Sequence, residues 1–230
     1  MIKIHKMWKR YHHHIANDWI LKDVNLLIPK KVSVGLIGHN GAGKSTLLRL
    51  IAGMDTPTRG NIWRKCSVSW PIGLSGGFKP SMTGRQNVKF VARVMGGDDD
   101  EIQRVIAFVQ DFAEIGKSFD EPVQTYSSGM QARLRFGLSL AFDFDVYLSD
   151  EATAVGDKAF KAKATKAFKK RVGKSSLIIV SHSEGIIKDL CQAGVWVHEG
   201  QAHWYEDVND ALNDYTDSLK NRTIKVPTAS

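Results

Sequence analysis

A glycine-rich segment, Gly38–Ser45, has the residue types and spacing of a phosphate-binding loop. It reads GHNGAGKS, which fits G-x-x-x-x-G-K-[ST], and it lies between the apolar run KKVSVGLIG and the helical pattern KSTLLRLIAGM. Glycines in such a loop let backbone N–H groups turn toward a phosphate, and the positive end of the following helix strengthens the attraction. The strand before and the helix after make a chance glycine-rich turn a poor alternative. The residues predicted to contact phosphate are Gly38, His39, Asn40, Gly41, Ala42, Gly43, Lys44, Ser45 and Thr46.

Two further apolar runs end in polar residues that would complete such a site. Lys44 can reach the β- and γ-phosphates of a nucleotide, and the Ser45 hydroxyl can coordinate Mg²⁺. The run DVYLSDE ends in Asp150, which we expect to hold Mg²⁺ through water, and Glu151, which would orient or deprotonate the attacking water. The run SSLIIVSH ends at His182, which can contact the γ-phosphate or its product. Glu151 and His182 are therefore the predicted catalytic residues.

The elements that position these residues alternate between strands and helices. Apolar runs ending in polar residues are typical of parallel strands that end at a site, and their alternation with helices predicts an α/β layered core. Val195–Tyr205 alternates around Glu199–Gly200 and predicts a hairpin. Residues from about 83 to 144 are mostly helical in pattern, and we interpret them as an insertion into the core. Asp98–Asp100 places acidic residues at a helix start there.

Composition and charge bound the kind of protein. The 230 residues are 43% hydrophobic, enough for one domain with a full core. The net charge is +8, and residues 157–174 hold much of the positive charge, which fits a solvated helix face or a surface for nucleic acid or anionic lipid. Cys66 and Cys191 are expected as free thiols in a reducing compartment. No secretory signal or membrane-spanning run is expected, so the chain is predicted to be cytoplasmic.

These motifs, in this order, resemble the ATP-binding-cassette (ABC) ATPases over nearly the whole chain. The resemblance implies an α/β P-loop NTPase core with a mostly parallel sheet, an N-terminal antiparallel β part and an inserted α-helical subdomain. We expect one domain over residues 1–220, with a RecA-like core at 1–82 and 145–220, helices at about 83–144, and a polar tail at 221–230. The resemblance also implies ATP and Mg²⁺ as cofactors. Two copies would pair head to tail, each ATP lying between one P-loop and the opposite signature.

Two segments compete for that signature, which must lie at a helix N-terminus. LSGG at 74–77 has the familiar letters, but Phe78-Lys79-Pro80 follows without a helical pattern. YSSGM at 126–130 leads into a clear helix and then into the strand that ends at Asp150. We therefore assign the signature to Ser127, Ser128 and Gly129. Tyr126 stands where the family usually has Leu, and Ser128 where it has Gly.

The resemblance assigns several more residues. Tyr11 matches the aromatic residue that stacks on adenine, with Trp8 and Trp19 as less favoured alternatives. Asp157, within AVGD, matches the D-loop near the dimer interface. His182 matches the switch histidine of the family.

One family residue has no counterpart. The family usually has a Gln before the helical insert, where it touches Mg²⁺ and the attacking water. No Gln occurs between Ser67 and Arg85, and Gln86 lies too far along the chain. The segment SWPIGLSGGF stands there instead, and we predict that Trp70, Pro71 and Phe78 form an apolar groove for a membrane partner. The departure implies slow or partner-dependent hydrolysis.

Four segments, SWPIGLSGGF, TYSSGM, AVGD and VSHS, together resemble the ATP-binding subunits of capsular polysaccharide exporters. The implied protein is an ATP-hydrolysing subunit held at the cytoplasmic face of the inner membrane. Its implied partners are a second copy of itself, polytopic membrane permease subunits and a periplasmic adaptor, and no nucleic acid is expected. O-antigen or teichoic acid export is the alternative. A soluble ABC ATPase acting on ribosomes or DNA, and a nucleotide-gated module without turnover, are alternatives from other classes.

Overall fold

The computed structural model of this chain describes residues 1–11, 19–72, 78–150, 158–172, 174–181 and 183–223. The chain divides into two compact units. The first contains residues 1–68, 145–151 and 176–230, and the second contains residues 69–144 and 152–175. The chain therefore leaves the first unit twice and returns to it twice.

The first unit is built from both strands and helices. Its strands are β1 (Ile2–Lys9), β2 (Leu21–Ile28), β3 (Val34–Ile37), β4 (Arg59–Arg64), β6 (Val146–Asp150), β7 (Ser176–Val180), β8 (Ala193–His198) and β9 (Gln201–Tyr205). Its helices are α1 (Lys44–Ala52), α6 (Glu184–Leu190) and α7 (Val208–Thr223). A further strand, β5 (Val68–Ile72), begins at the boundary residue Val68 and continues in the second unit.

Two sheets build the first unit. An antiparallel sheet has the order β2-β1-β4, and buried Ile2, Ile4 and Met7 of β1 turn one of its faces to the core. In this unit the second sheet runs β6-β7-β3-β8-β9, with β6, β7, β3 and β8 parallel. Both β3 and β7 are buried along their whole length, as is typical of parallel strands covered on both faces.

The last strand returns through a tight turn. β9 pairs antiparallel with β8, and Glu199 and Gly200 connect them with φ angles of 49° and 84°. Two positive φ angles in a two-residue loop are the hairpin geometry that suits twisted strands. The predicted hairpin is therefore confirmed.

Helix α1 is anchored in the core by its apolar side. Leu47, Leu48, Leu50 and Ile51 are fully buried and cluster with residues of β1, β3 and β7. Burying one such side chain stabilises the fold by about 1.5–3 kcal/mol, so the helix has a fixed position in this unit.

Helices dominate the second unit. They are α2 (Gly84–Val94), α3 (Asp99–Ala113), α4 (Ser128–Ala141) and α5 (Lys158–Val172), with short 3₁₀ turns at Gly116–Asp120 and Val123–Thr125. Asp98 caps α3 by accepting a hydrogen bond from the Glu101 N–H at 2.8 Å, so the predicted acidic helix start is confirmed. Phe112 contacts Phe108, Phe136 and Phe160, which joins α3, α4 and α5.

The predicted fold class is confirmed: an antiparallel N-terminal sheet, a mostly parallel sheet and a helical part are all present. Helix α5 groups with the helices of the second unit, whereas the sequence predicts residues 145–220 as part of the core. Within the described ranges, no helix has both the length and the apolar character needed to cross a membrane.

Candidate nucleotide-binding site

The phosphate loop connects the end of β3 at Ile37 to the start of α1 at Lys44. Gly38 begins the loop with φ of 148°, and a Cβ there would lie 2.4 Å from the carbonyl oxygen of Val197. Gly43 ends the loop in the left-handed region with φ of 102°. Both positions require glycine for their backbone angles, and Gly38 also for its lack of a side chain.

The start of α1 suits an anion. Its first turn contains no acidic residue, and no side chain among the described residues caps it. The first N–H groups of a helix have no partner within the helix, and they lie at the positive end of its dipole. This helix start therefore has the chemistry of a phosphate site.

Lys44 is buried within the loop at 8% exposure. Its Nζ donates hydrogen bonds to the carbonyl oxygens of Gly38 at 2.7 Å and His39 at 2.8 Å. The loop therefore holds the ammonium against its own backbone, beside the uncapped start of α1. The predicted role of Lys44 at the β- and γ-phosphates fits this position.

Asp150 lies in the same row of the parallel sheet as Leu36 of β3, the strand that precedes the loop. It pairs with Val180 of β7, and Val180 pairs with Leu36 of β3. Neighbouring strands lie about 4.8 Å apart, so the Asp150 and Leu36 backbones are about 10 Å apart at one edge of the sheet. The edge where parallel strands end is where ligands bind in α/β sheets.

The oxygen ligands at this edge fit Mg²⁺. Ser45 is exposed in the first turn of α1, and Asp150 is half-buried at the end of β6. A hydroxyl and a carboxylate are hard ligands, and Mg²⁺ in nucleotide sites takes one or two of these together with phosphate and water. Within the described part of the chain, no group of three or more His, Cys, Asp or Glu side chains could hold a metal ion.

Tyr11 is held beside the phosphate loop by a polar cluster. Its hydroxyl donates a hydrogen bond to Asp55 Oδ2 at 2.6 Å, and Lys9 Nζ lies 4.6 Å from its ring centroid. Burial and the Asp55 hydrogen bond raise the pKa of Tyr11, while a Thr46 hydrogen bond and the Arg49 charge act in the opposite direction. Since Thr46 is in the first turn of α1, Tyr11 is near the predicted phosphate site.

The two alternative aromatics are engaged with each other and with arginines. Trp8 meets Trp19 edge-on at 5.1 Å. The guanidinium groups of Arg10 and Arg59 lie 4.8 Å and 5.2 Å from the Trp19 ring centroid. Tyr11, Trp8 and Trp19 all have side-chain contacts in the structure, and the choice of Tyr11 as the adenine-stacking residue stays a prediction.

The segment assigned as signature begins helix α4. Ser127 is the N-cap, and its Oγ accepts a hydrogen bond from the Met130 N–H at 3.2 Å. Ser127 and Ser128 are exposed. As predicted, helix α4 begins within YSSGM, and β6 follows this helix.

Tyr126, which departs from the family pattern, is buried in the second unit. Its hydroxyl donates a hydrogen bond to the Ser118 carbonyl oxygen at 2.5 Å. A Cβ on Gly84 would lie 2.5 Å from this hydroxyl, so the phenol passes directly over the start of α2. Burial raises the pKa of Tyr126, which remains a hydrogen-bond donor at neutral pH. The Tyr therefore fixes the entry to the signature helix.

Gln86 takes part in a helix cap, and its separation from the missing family Gln stays a prediction. It lies in the first turn of α2, where its Oε1 accepts from the Thr83 N–H at 2.9 Å and its own N–H donates to Thr83 Oγ1 at 3.1 Å. This reciprocal pair is a capping box.

Two of the residues predicted to meet a membrane partner, Trp70 and Pro71, are anchored inside the second unit. Pro71 is buried. Trp70 Nε1 donates to Ser139 Oγ at 2.9 Å, and its ring packs edge-on against Phe142 and Phe144 at 5.9 Å and 5.6 Å. Trp70 and Pro71 therefore support the fold of this unit, whatever else they contact.

Several predicted residues lie outside the described ranges: Glu151, Asp157, His182 and the LSGG segment at 74–77. Phe78, the remaining groove residue, is half-buried.

The sequence did not indicate that Lys9 and Asp55 contact Tyr11. The available signal was the alternation of β1, in which Lys9 takes an inward position like Ile2 and Met7 before it. A lysine at such a position needs a buried partner, which points to a nearby acid.

The fold and this loop define an α/β P-loop protein. The family model described as "ABC transporter" matches residues 21–154, a range that includes the phosphate loop, the start of α4 and Asp150. The chain belongs to the ABC transporter family.

Named relatives match nearly the full chain. The polysialic acid transport ATP-binding protein KpsT of Escherichia coli is 50% identical over 220 residues, covering 95% of this chain and 100% of that protein. The capsule polysaccharide export ATP-binding protein CtrD of Neisseria meningitidis serogroup B is 42% identical, covering 94% of this chain and 98% of that protein. A solved dimeric ATP-binding cassette in a post-hydrolysis state, bound to ADP and Pi, matches with a TM-score of 0.74. It is 21% identical and covers 90% of this chain and 99% of that chain, a likeness of fold.

Proposed function

We propose that this chain is the ATP-binding and ATP-hydrolysing subunit of an ABC exporter that moves capsular polysaccharide across the inner membrane. The observation that supports this most strongly is near full-length identity of 50% and 42% to two proteins named for polysialic acid transport and capsule polysaccharide export. The phosphate-loop geometry of the first unit supports the ATPase part independently. O-antigen or teichoic acid export is the alternative substrate class.

ATP binding would begin at the phosphate loop. The Lys44 ammonium and the uncapped start of α1 supply positive charge for the β- and γ-phosphates. Ser45 and Asp150 would hold Mg²⁺, which neutralises charge on the phosphate oxygens when it is bound. Tyr11 would stack on the adenine ring. The remaining contacts would come from Gly38, His39, Asn40, Gly41, Ala42, Gly43 and Thr46.

Hydrolysis would occur at the edge of the sheet where β6 and β7 end. Glu151 directly follows Asp150, and we assign it as the base that accepts a proton from the attacking water. The water oxygen bonds to the γ-phosphorus as the bond from that phosphorus to the ADP oxygen breaks. His182, which follows Ser181 just beyond β7, would contact the transferred phosphate.

A second copy would complete each site. Ser127, Ser128 and Gly129 would act on the ATP of the opposite copy, with Asp157 near the interface. Exposure of Ser127 and Ser128 at a helix N-terminus is compatible with contact to another chain's phosphates.

Further partners would hold the protein at the cytoplasmic face of the inner membrane. We assign this role to polytopic permease subunits, contacted beside Trp70, Pro71 and Phe78, and include a periplasmic adaptor in the system. The missing Gln would make hydrolysis slow or dependent on these partners. No nucleic acid partner is proposed.

Deleting the gene in its host tests this function. We expect capsular polysaccharide to accumulate inside the cells and to disappear from their surface, with rescue by the wild-type chain. Lys44→Met should not rescue, because it removes the phosphate-binding ammonium. Lys65→Met, which changes an exposed lysine of the same unit, should rescue fully. Unchanged surface capsule after deletion would refute capsule export, and trapped O-antigen or teichoic acid would favour the alternative.

A further inference from the structure

Lys9 is a buried charge with a defined set of partners. It is 6% exposed at the end of β1. Its Nζ donates to Asp55 Oδ1 at 2.6 Å and to the Thr56 carbonyl oxygen at 2.9 Å. The same ammonium lies 4.6 Å from the ring centroid of Tyr11. The side chain therefore contacts both the loop after α1 and the predicted adenine-stacking residue.

Asp55 joins Lys9 to Tyr11. One carboxylate oxygen accepts from Lys9 Nζ and from the Thr56 N–H, and the other accepts from the Tyr11 hydroxyl. Burial acts to raise the pKa of Asp55, but hydrogen bonds from Lys9 and Tyr11 outweigh it, so the pKa is below its ordinary value. The carboxylate is thus ionised at neutral pH and holds both partners.

The backbone around Tyr11 is tied to the same loop. The Thr58 N–H donates to the Trp8 carbonyl oxygen at 2.8 Å, and the Arg10 N–H donates to Thr58 Oγ1 at 3.2 Å. On the other side, the Ile20 N–H donates to the Lys9 carbonyl oxygen at 2.9 Å. The Tyr11 side chain therefore extends from a fixed backbone and is fixed again at its hydroxyl.

Stability alone does not account for this arrangement. Replacing a buried ion pair by well-packed apolar residues is often neutral or stabilising, so burying Lys9 beside the half-buried Asp55 is a poor way to strengthen a core. What the cluster does provide is one orientation of the Tyr11 ring, with Lys9 over one face. Since the Tyr11 side chain is already ordered, stacking on adenine would need little further ordering of it on binding.

We infer that Lys9 and Asp55 are positioning residues that set the affinity of this site for adenine nucleotides by holding Tyr11. The inference rests on the proposed function, in which Tyr11 stacks on adenine. It adds two residues that do not touch the nucleotide themselves, and it assigns them to base recognition rather than to phosphate recognition.

The test compares the binding of Mg-ATP with that of inorganic tripolyphosphate, which has no base, to the purified full chain. We expect Tyr11→Ala to weaken ATP binding about tenfold or more, and Lys9→Met, Asp55→Asn and Tyr11→Phe to weaken it roughly three- to tenfold. Tripolyphosphate binding should be unchanged in all four. Asp214→Asn is the matched control. It alters a similar Tyr205–Asp214 hydrogen bond of 2.7 Å elsewhere in this unit, and the affinity for both ligands should stay unchanged.

Each contrary result is distinguishable. Wild-type ATP affinity in Lys9→Met, Asp55→Asn and Tyr11→Phe, with a loss in Tyr11→Ala, would overturn the positioning role and leave the proposed function intact. Equal losses for ATP and tripolyphosphate would also overturn it, because they indicate a distorted phosphate loop. If Lys44→Met bound ATP normally, the proposed function itself would fail. Should Lys9→Met not fold, Tyr11→Phe decides, since it removes one hydroxyl and keeps the ring.

Discussion

Gly38 shows how closely the phosphate loop approaches another strand. A Cβ at this position would meet the backbone oxygen of Val197 in β8, and a strand backbone in the middle of a sheet has little room to move. The first residue of the loop is therefore set by contact with β8 as well as by its own backbone angle.

Gly38→Ala should lower the free energy of unfolding by roughly 3 kcal/mol and weaken ATP binding, because overpacking adds to an unfavourable φ. Gly96→Ala is the matched control. Gly96 has φ of 87°, and no atom of the described residues lies within 4 Å of an added Cβ, so only backbone strain of about 1–2 kcal/mol applies. Urea unfolding curves of both variants measure the difference, and equal losses would show that the Val197 contact is unimportant.

A lysine of α5 and an arginine of α4 both lie at the C-terminal end of α3. The last turn of α3 has no basic residue of its own. Lys163 Nζ donates to the Phe112 carbonyl oxygen at 3.2 Å and to Glu114 Oε1 at 2.7 Å, and Arg133 of α4 lies 3.8 Å from Glu114 Oε2. Part of the basic segment 157–174 therefore has partners within the second unit and stabilises the negative end of α3.

Lys163→Met should cost roughly 1 kcal/mol of unfolding free energy, since it removes a partly exposed helix-end cation and its ion pair. Lys166→Met changes an exposed lysine of the same helix and should have no effect. Thermal unfolding of the two variants gives the comparison. A loss in Lys166→Met as large as in Lys163→Met would contradict the interpretation.

The last strand and the last helix of the first unit are linked by Tyr205 of β9 and Asp214 of α7. Burial, the Asp214 hydrogen bond and nearby acidic charge raise the pKa of Tyr205 from 10.0 to about 12. Because the folded pKa is the higher one, the stabilisation is complete below pH 10 and is lost as the pH rises through about 12.

The stability difference between the wild-type chain and Tyr205→Phe should therefore shrink between pH 10 and about 12. Urea unfolding across this window measures it. If the stability difference stays constant over this pH range, the pKa of Tyr205 is the same in the folded and unfolded states.

Local patterns were sufficient to predict the β3–loop–α1 segment, the β8–β9 hairpin and the start of α4, because each depends on neighbouring residues. The Lys9–Asp55–Tyr11 cluster was beyond such reasoning, since Tyr11 and Asp55 are 44 residues apart and meet only in the fold. The grouping of α5 was missed for a related reason. Its lysines suggested a solvated helix, but buried Phe160, Ala164 and Phe168 give it an apolar side that packs with the other helices.

Two copies arranged head to tail would place one P-loop and one signature at each ATP. Gly129 is a suitable position for a variant in this arrangement, since among the described residues an added Cβ has only Ser127 Oγ within 4 Å, at 3.9 Å. An acid in the first turn of α4 also favours the helix. Gly129→Asp should thus fold normally, while its carboxylate repels the phosphates of the opposite copy.

Lys44→Met and Gly129→Asp should each be inactive alone, yet a mixture should hydrolyse ATP. With random pairing, half of the dimers contain one intact site of two, so about a quarter of the wild-type rate is expected. Phosphate release from an equimolar mixture measures this. No activity in the mixture would argue against sites shared between copies.

The order of strands also has a consequence for synthesis on the ribosome. β3 lies between β7 and β8, both of which are translated far later, so this apolar strand leaves the ribosome without either neighbour. Folding that waits for long-range pairing is slow and exposes segments prone to aggregation. High-level recombinant production of this chain should therefore benefit from slow translation and from chaperones that shield newly made strands.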